Sequence, residues 1–133
     1  MINYNTLKEI QKNERGYSEL SHIPENFYKQ CSNFFYNNLQ GDLSLLDIRI
    51  TRNAYSTYTE IVERRLNKIS SKAYLTVIST NKINQKPPAR NLEEILPRNI
   101  ISSEKDIFYK TIDLLDNFYN KRFQEYIQNE LLE

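Results

Sequence analysis

The side chains with chemical reach are few and far apart. Asp113 and Asp116 stand three residues apart, where a helix would set them on one face as oxygen ligands for a divalent cation. No histidine accompanies them, and neighbouring acids on a helix are ordinarily just solvated. His22 and Cys31 supply the residue types of a base and a nucleophile. Cys31, however, falls on the apolar side of its segment, where a thiol acts as a small hydrophobe. One histidine and one cysteine also fall short of the ligand count of a zinc site. Gly16 and Gly41 are the only two glycines, too far apart to cradle a phosphate. Between Arg52 and Lys72, tyrosines alternate with basic residues as they would on a platform that stacks single-stranded bases. Tyr55 and Tyr58 also share the spacing of a core stripe, which favours packing. No catalytic or metal-binding constellation emerges, and the chain is expected to be non-enzymatic and free of cofactors.

The elements that must position these residues are helical. Leu43 to Lys82 contains neither proline nor glycine, a stretch long enough for one helix across a small domain. A first helix is expected from Asn5 to Arg15, with Gly16 ending it as a left-handed C′ residue. A second opens at Pro24, a good first-turn residue, and carries Phe27, Cys31, Phe34, Phe35 and Leu39 on its apolar face. Gly41 closes it, and Asp42 or Ser44 is placed to cap the long helix.

At 100° per residue the long helix bears one stripe of Ile48, Tyr55, Tyr58, Val62, Leu66, Ile69, Ala73 and Val77. A second stripe, of Leu43, Leu46, Ile50, Ala54 and Ile61, lies roughly 120° round and continues as Arg64, Lys68 and Lys72. Two apolar stripes imply neighbours on two sides, so the second stripe is read as an interface. A charge at Ile50 or Ile61 is then expected to break oligomers while sparing helix content. Residues 81–101, with Pro87, Pro88 and Pro97, read as a linker in which Leu92 to Leu96 forms a short turn. A last helix begins near Ser102–Ser103, with a capping arrangement over Ser103–Asp106. Phe108, Ile112, Leu115, Tyr119, Phe123 and Ile127 recur along it at helical spacing, and it runs to Glu133.

The chain of 133 residues is expected to be a single all-α domain. Ten tyrosines and six phenylalanines supply core area in the absence of tryptophan. A mean hydropathy of −0.69 and the lack of a long apolar run argue against a membrane span. The opening Met1-Ile2-Asn3-Tyr4-Asn5 lacks the segments of an export signal, so a cytoplasmic or nucleoid-associated protein is expected, nuclear in a eukaryote. Net charge is only +1, yet residues 49–90 hold nine Lys and Arg against two acids. That segment is either neutralised by the acidic C-terminal helix or offers Arg64, Lys68, Lys72, Lys82, Lys86 and Arg90 to a partner or to nucleic acid.

Three segments together carry a family likeness. Leu7, Ile10, Glu14-Arg15, Leu20, Ile23-Pro24 and Phe27-Tyr28 resemble the opening of GINS-family proteins, where a short helix ending in Glu-Arg leads through a Leu-Pro-like turn into a Phe-Tyr helix. Glu60 to Ile69 is similar to that family's long-helix signature of an acid, arginine and Lys-Ile. Leu96 to Leu115, with Ser103-Glu104 before Phe108-Tyr109, resembles its last helix. The resemblance implies an archaeal-type helical A domain of four to five helices around one long central helix. Such a domain belongs to a subunit of a homo- or hetero-tetramer that scaffolds the replicative MCM helicase with a RecJ/Cdc45-like partner. The family's small β-rich B domain is not apparent in this stretch. It implies further that Glu14 and Arg15 fix the first helix and that Pro24, Phe27 and Tyr28 anchor the second. Arg64 or Arg65 with Lys68 would then make buried or interfacial ion pairs. Direct DNA contact would be weak. A small helical nucleic-acid-binding module using residues 49–90 is the alternative.

Overall fold

In a computed structural model, which describes residues 2–80, 93–123, 125–126 and 130, the chain is all-helical, and no strand occurs among the described residues. Four α-helices follow one another: α1 (Tyr4–Gly16), α2 (Phe27–Asn38), α3 (Leu45–Thr80) and α4 (Ser102–Asn117). The chain divides into two compact units, Met1–Lys68 and Ile69–Glu133, with the 36-residue α3 contributing to each.

In the first unit, α1 starts where Asn3 Oδ1 accepts a hydrogen bond from Thr6 N at 2.8 Å, satisfying one of the helix's open donors. Leu7, Ile10, Gln11 and Glu14 form its buried side. Gly16 is the last helical residue and does not take the expected left-handed conformation; the chain leaves through Tyr17 in extended backbone, whose N–H still reaches Asn13 O. The start of α2 also moves. Pro24 heads a turn whose carbonyl accepts from Phe27 N, and the helix begins at Phe27, three residues later than the proline suggests. Phe27 and Cys31 are buried, while Leu39, expected on the same face, is exposed at the helix end. Gly41 does adopt the positive φ of 79° that glycine tolerates best.

Ser44 caps α3. Its Oγ accepts from Asp47 N at 3.1 Å, and Asp47 Oδ2 reaches back to Ser44, a reciprocal box at the helix start. Phe27 and Phe35 of α2 stack on Tyr58 of α3 with ring centroids 6.1 and 5.5 Å apart, and Phe35 also meets Tyr55 at 5.4 Å. Both Phe35 contacts are edge-to-face, an arrangement that aromatic rings prefer.

The inward side of α3 follows neither apolar stripe along its whole length: Ile69, Ala73 and Val77 of the first stripe are buried. Ala54 and Ile61 of the second stripe are fully buried within the chain. A charge at Ile61 would therefore strike the core and not a subunit contact. In the first stripe, Tyr55 is 59% exposed, and Ile48, Tyr58, Val62 and Leu66 are half-buried. Leu46 and Ile50 are exposed, and Leu43 is half-buried. The inward line instead runs Ala54, Ile61, Arg65, an arginine where the hydropathy pattern breaks.

In the second unit, Ile69, Ala73 and Val77 of α3 are buried, as are Ile101, Phe108 and Ile112. Asn99, at φ 67°, turns the chain into α4. The cap differs from the expected Ser103–Asp106: Glu104, buried itself, accepts from Ile101 N at 3.2 Å. At Asn117 α4 widens into a π-helical turn, Phe118–Phe123; Glu125, Tyr126 and Glu130 are again helical, and the expected end at Glu133 lies outside the described residues. Ile127 lies outside the described residues.

Candidate functional site

The densest polar constellation joins two segments far apart in sequence. Glu14 sits on the inward side of α1, four residues beyond Ile10, and is 1% exposed. Its Oε2 accepts from Arg65 Nη1 at 3.1 Å, and its Oε1 accepts from Lys68 Nζ at 3.0 Å and from Ser21 N at 2.9 Å. Arg65, with no exposed surface, also donates to Ser21 O at 2.8 Å. Lys68 donates to the carbonyls of Glu14 and Glu19 at 2.7 and 3.0 Å. A single carboxylate thus accepts from two cations and a backbone amide, while the cations hold the loop that leaves α1. The carboxylate and both cations are engaged, which is what makes buried charge tolerable, while the Ser21 hydroxyl is buried without a hydrogen-bond partner among the described residues. A carboxylate so fully engaged is an anchor, not a base or nucleophile.

A second pairing lies on the surface beside it. Arg15 grips Glu60 with both arms of its fork, Nη2 to Oε1 at 2.6 Å, and Arg64 adds a bond from Nε at 3.1 Å. Hydrogen bonding by Arg15, assisted by Arg64, holds the Glu60 carboxyl down at about 2. Arg15 in turn is raised by the same bond. The described ion pairs of the basic segment therefore lead to Glu14 and to its own Glu60.

The structure thus brings together Glu14, Arg15, Arg64, Arg65 and Lys68, with Arg65 the buried arginine and Arg64 the surface one. Ser21 and Glu60 complete the constellation and were not singled out by spacing. Glu60 had a signal in its i, i+4 relation to Arg64; Ser21 contributes through its backbone and had none. Pro24 is exposed, Phe27 buried, and Tyr28 half-buried against it with centroids 5.3 Å apart. Lys72 is exposed, and Lys82, Lys86 and Arg90 lie outside the described residues.

The other reactive groups are separated. Cys31 is fully buried and its thiol is pushed up to about 12 by desolvation, while His22 is exposed. Burial raises Tyr58 as well, with smaller contributions from Cys31 and Tyr55. Asp113 is exposed and Asp116 half-buried. Among the described residues no three His, Cys, Asp or Glu side chains gather as a metal-holding group. No described helix is long and apolar enough to cross a membrane. Comparison of the chain with family models, with curated proteins and with solved structures gave no match.

Proposed function

We propose that this chain is a GINS-like subunit: a non-enzymatic helical scaffold that assembles as a tetramer and holds the MCM helicase and a RecJ-like partner in their working arrangement. The observation that carries the reading is the buried cluster of Glu14, Arg65 and Lys68. The resemblance rests on a Glu-Arg helix end and on an acid–arginine–Lys-Ile signature some fifty residues later. The side chains of those two motifs meet in one buried ionic network, an arrangement suited to a framework. The exposed Leu46 and Ile50 at the head of α3 support a subunit role, since apolar side chains grouped on a surface suit a protein partner.

The mechanism is binding energy directed at one conformation of a partner. An obligate contact of that kind buries about 2,000 Å² or more and is largely apolar. Light scattering behind size exclusion, at low and high salt, should give a salt-resistant mass near four chains, alone or with sister subunits. Immobilised MCM helicase should then capture that assembly. A chain that stays monomeric with every sister subunit and is not captured by the helicase would overturn the reading.

A further inference from the structure

The half-exposed stripe of α3 has an order that selects its occupant. Ile48, Arg52, Tyr55, Thr59, Val62 and Leu66 follow one another at alternating steps of four and three, the seam of a coiled coil. It lies wholly within the first unit, and between Tyr55 and Leu66 it borders an open groove of about 390 Å³. One flank of the seam is taken up by the chain's own interior, since Thr51 and Arg65 are buried and Tyr58 packs on Phe27 and Phe35. The other flank is open and carries Arg49, Ser56 and Glu63, seven residues apart and all exposed. Among the described residues, Arg49, Arg52 and Glu63 have no ion-pair partner.

We propose that this seam binds a second copy of the chain, with the two α3 helices antiparallel about a two-fold axis level with Thr57. In that register Ile48 meets Leu66 of the other copy and Tyr55 meets Thr59. Arg49 and Arg52 of each copy meet the other's Glu63, and the small Ser56 sits on the axis. The open flank is positive at one end, neutral in the middle and negative at the other. Only an antiparallel copy turns that order into two symmetric ion pairs, because a parallel copy would set each open flank against the other's closed flank and Arg52 against Arg52. The contact deepens the subunit reading and rests on it for the expectation that an assembly forms at all.

Charge swaps test it. Glu63→Arg gives a copy with three cations at these positions, and Arg49→Glu with Arg52→Glu gives one with three anions. Each variant alone should self-associate at least about tenfold more weakly than the natural chain in sedimentation or light scattering. An equimolar mixture should regain the natural association, because every pair is then of opposite sign. All three positions are exposed, so circular dichroism should be unchanged. If either variant alone keeps the natural mass, or the mixture does not recover it, the contact is overturned. The subunit reading is judged separately, by helicase capture of the natural chain. A natural chain that remains monomeric at all accessible concentrations would likewise overturn the contact.

Discussion

At the scale of single residues, the decisive fact is that a full charge pair sits where a core side chain would. Arg65 has no exposed surface and Glu14 almost none. Removing one partner of a buried pair typically costs about 3–5 kcal/mol, an upper bound here because Glu14 keeps Lys68 and Ser21 N, whereas replacing both by apolar groups is often nearly neutral. Arg65→Met should therefore destabilise the chain by up to that amount in urea unfolding, and adding Glu14→Leu should recover part of the loss, with a coupling of about 1–3 kcal/mol. Additive losses would mean the two side chains do not interact. The surface pair behaves differently. Bound chiefly by Arg15, Glu60 titrates at about 2 in the folded chain, below the ordinary 4.5. Its contribution is thus fully present above about pH 4.5 and is lost as pH falls from there through 2. Solvent screening keeps that contribution to about 1 kcal/mol or less. The stability gap between the natural chain and Glu60→Gln should accordingly close between pH 5 and pH 2; a gap that is constant over that range would show the pair is not formed in solution.

At the scale of elements, the four helices were legible because each repeats its apolar residues at helical spacing and ends near a glycine, proline or serine. Boundaries were less legible. Pro24 and Gly16 suit helix ends in general, but a turn bonded from Phe27 N to Pro24 O moved the start of α2 by three residues, and α1 runs one residue further, through Gly16, before an extended Tyr17. Hydropathy placed Ile69, Ala73 and Val77 inward, as they are, but it misjudged the first half of α3, where Ala54 and Ile61 are buried and Tyr55 is exposed. The inward line passes through Arg65, which any polarity scale places outside, and Glu14, its partner, sits in a helix that shows the same anomaly. Paired charge inverts the pattern, and only the pairing reveals it. The two isoleucines of the second stripe therefore part company. Ile61→Glu places a charge in a site with no exposed surface and should cost several kcal/mol, enough to lose cooperative unfolding. Ile50 is 42% exposed, so Ile50→Glu should leave the circular dichroism spectrum intact and act only on assembly. Equal loss of fold in both variants would place Ile50 in the interior too.

At the scale of the whole molecule, charge decides between a scaffold and a nucleic-acid module. The segment 49–90 is strongly basic in sequence, with nine cations against two acids. Its cations are not equivalent in the fold. Arg64, Arg65 and Lys68 are tied to carboxylates, and Lys68 spends further donors on two main-chain carbonyls. A phosphate would have to displace those bonds, whereas the exposed Lys72 is available without rearrangement. The two lysines, four residues apart on one helix, thus make a controlled comparison. Each phosphate that a lysine neutralises steepens the fall of log affinity with log salt by about 0.7 for a single strand. Lys72→Gln should reduce any such slope by about that amount at unchanged stability. Lys68→Gln should instead lower stability by about 1–3 kcal/mol, the cost of leaving a hydrogen-bonded charge partner unmatched, and leave the slope alone. Fluorescence anisotropy with a labelled oligonucleotide across a salt series, beside urea unfolding of the same two variants, separates the roles. If Lys68→Gln flattened the slope without loss of stability, its bonds to α1 would be dispensable and the basic segment would be a binding surface; the opposite pattern leaves Lys68 where the geometry puts it, fastening α1 and its following loop to α3.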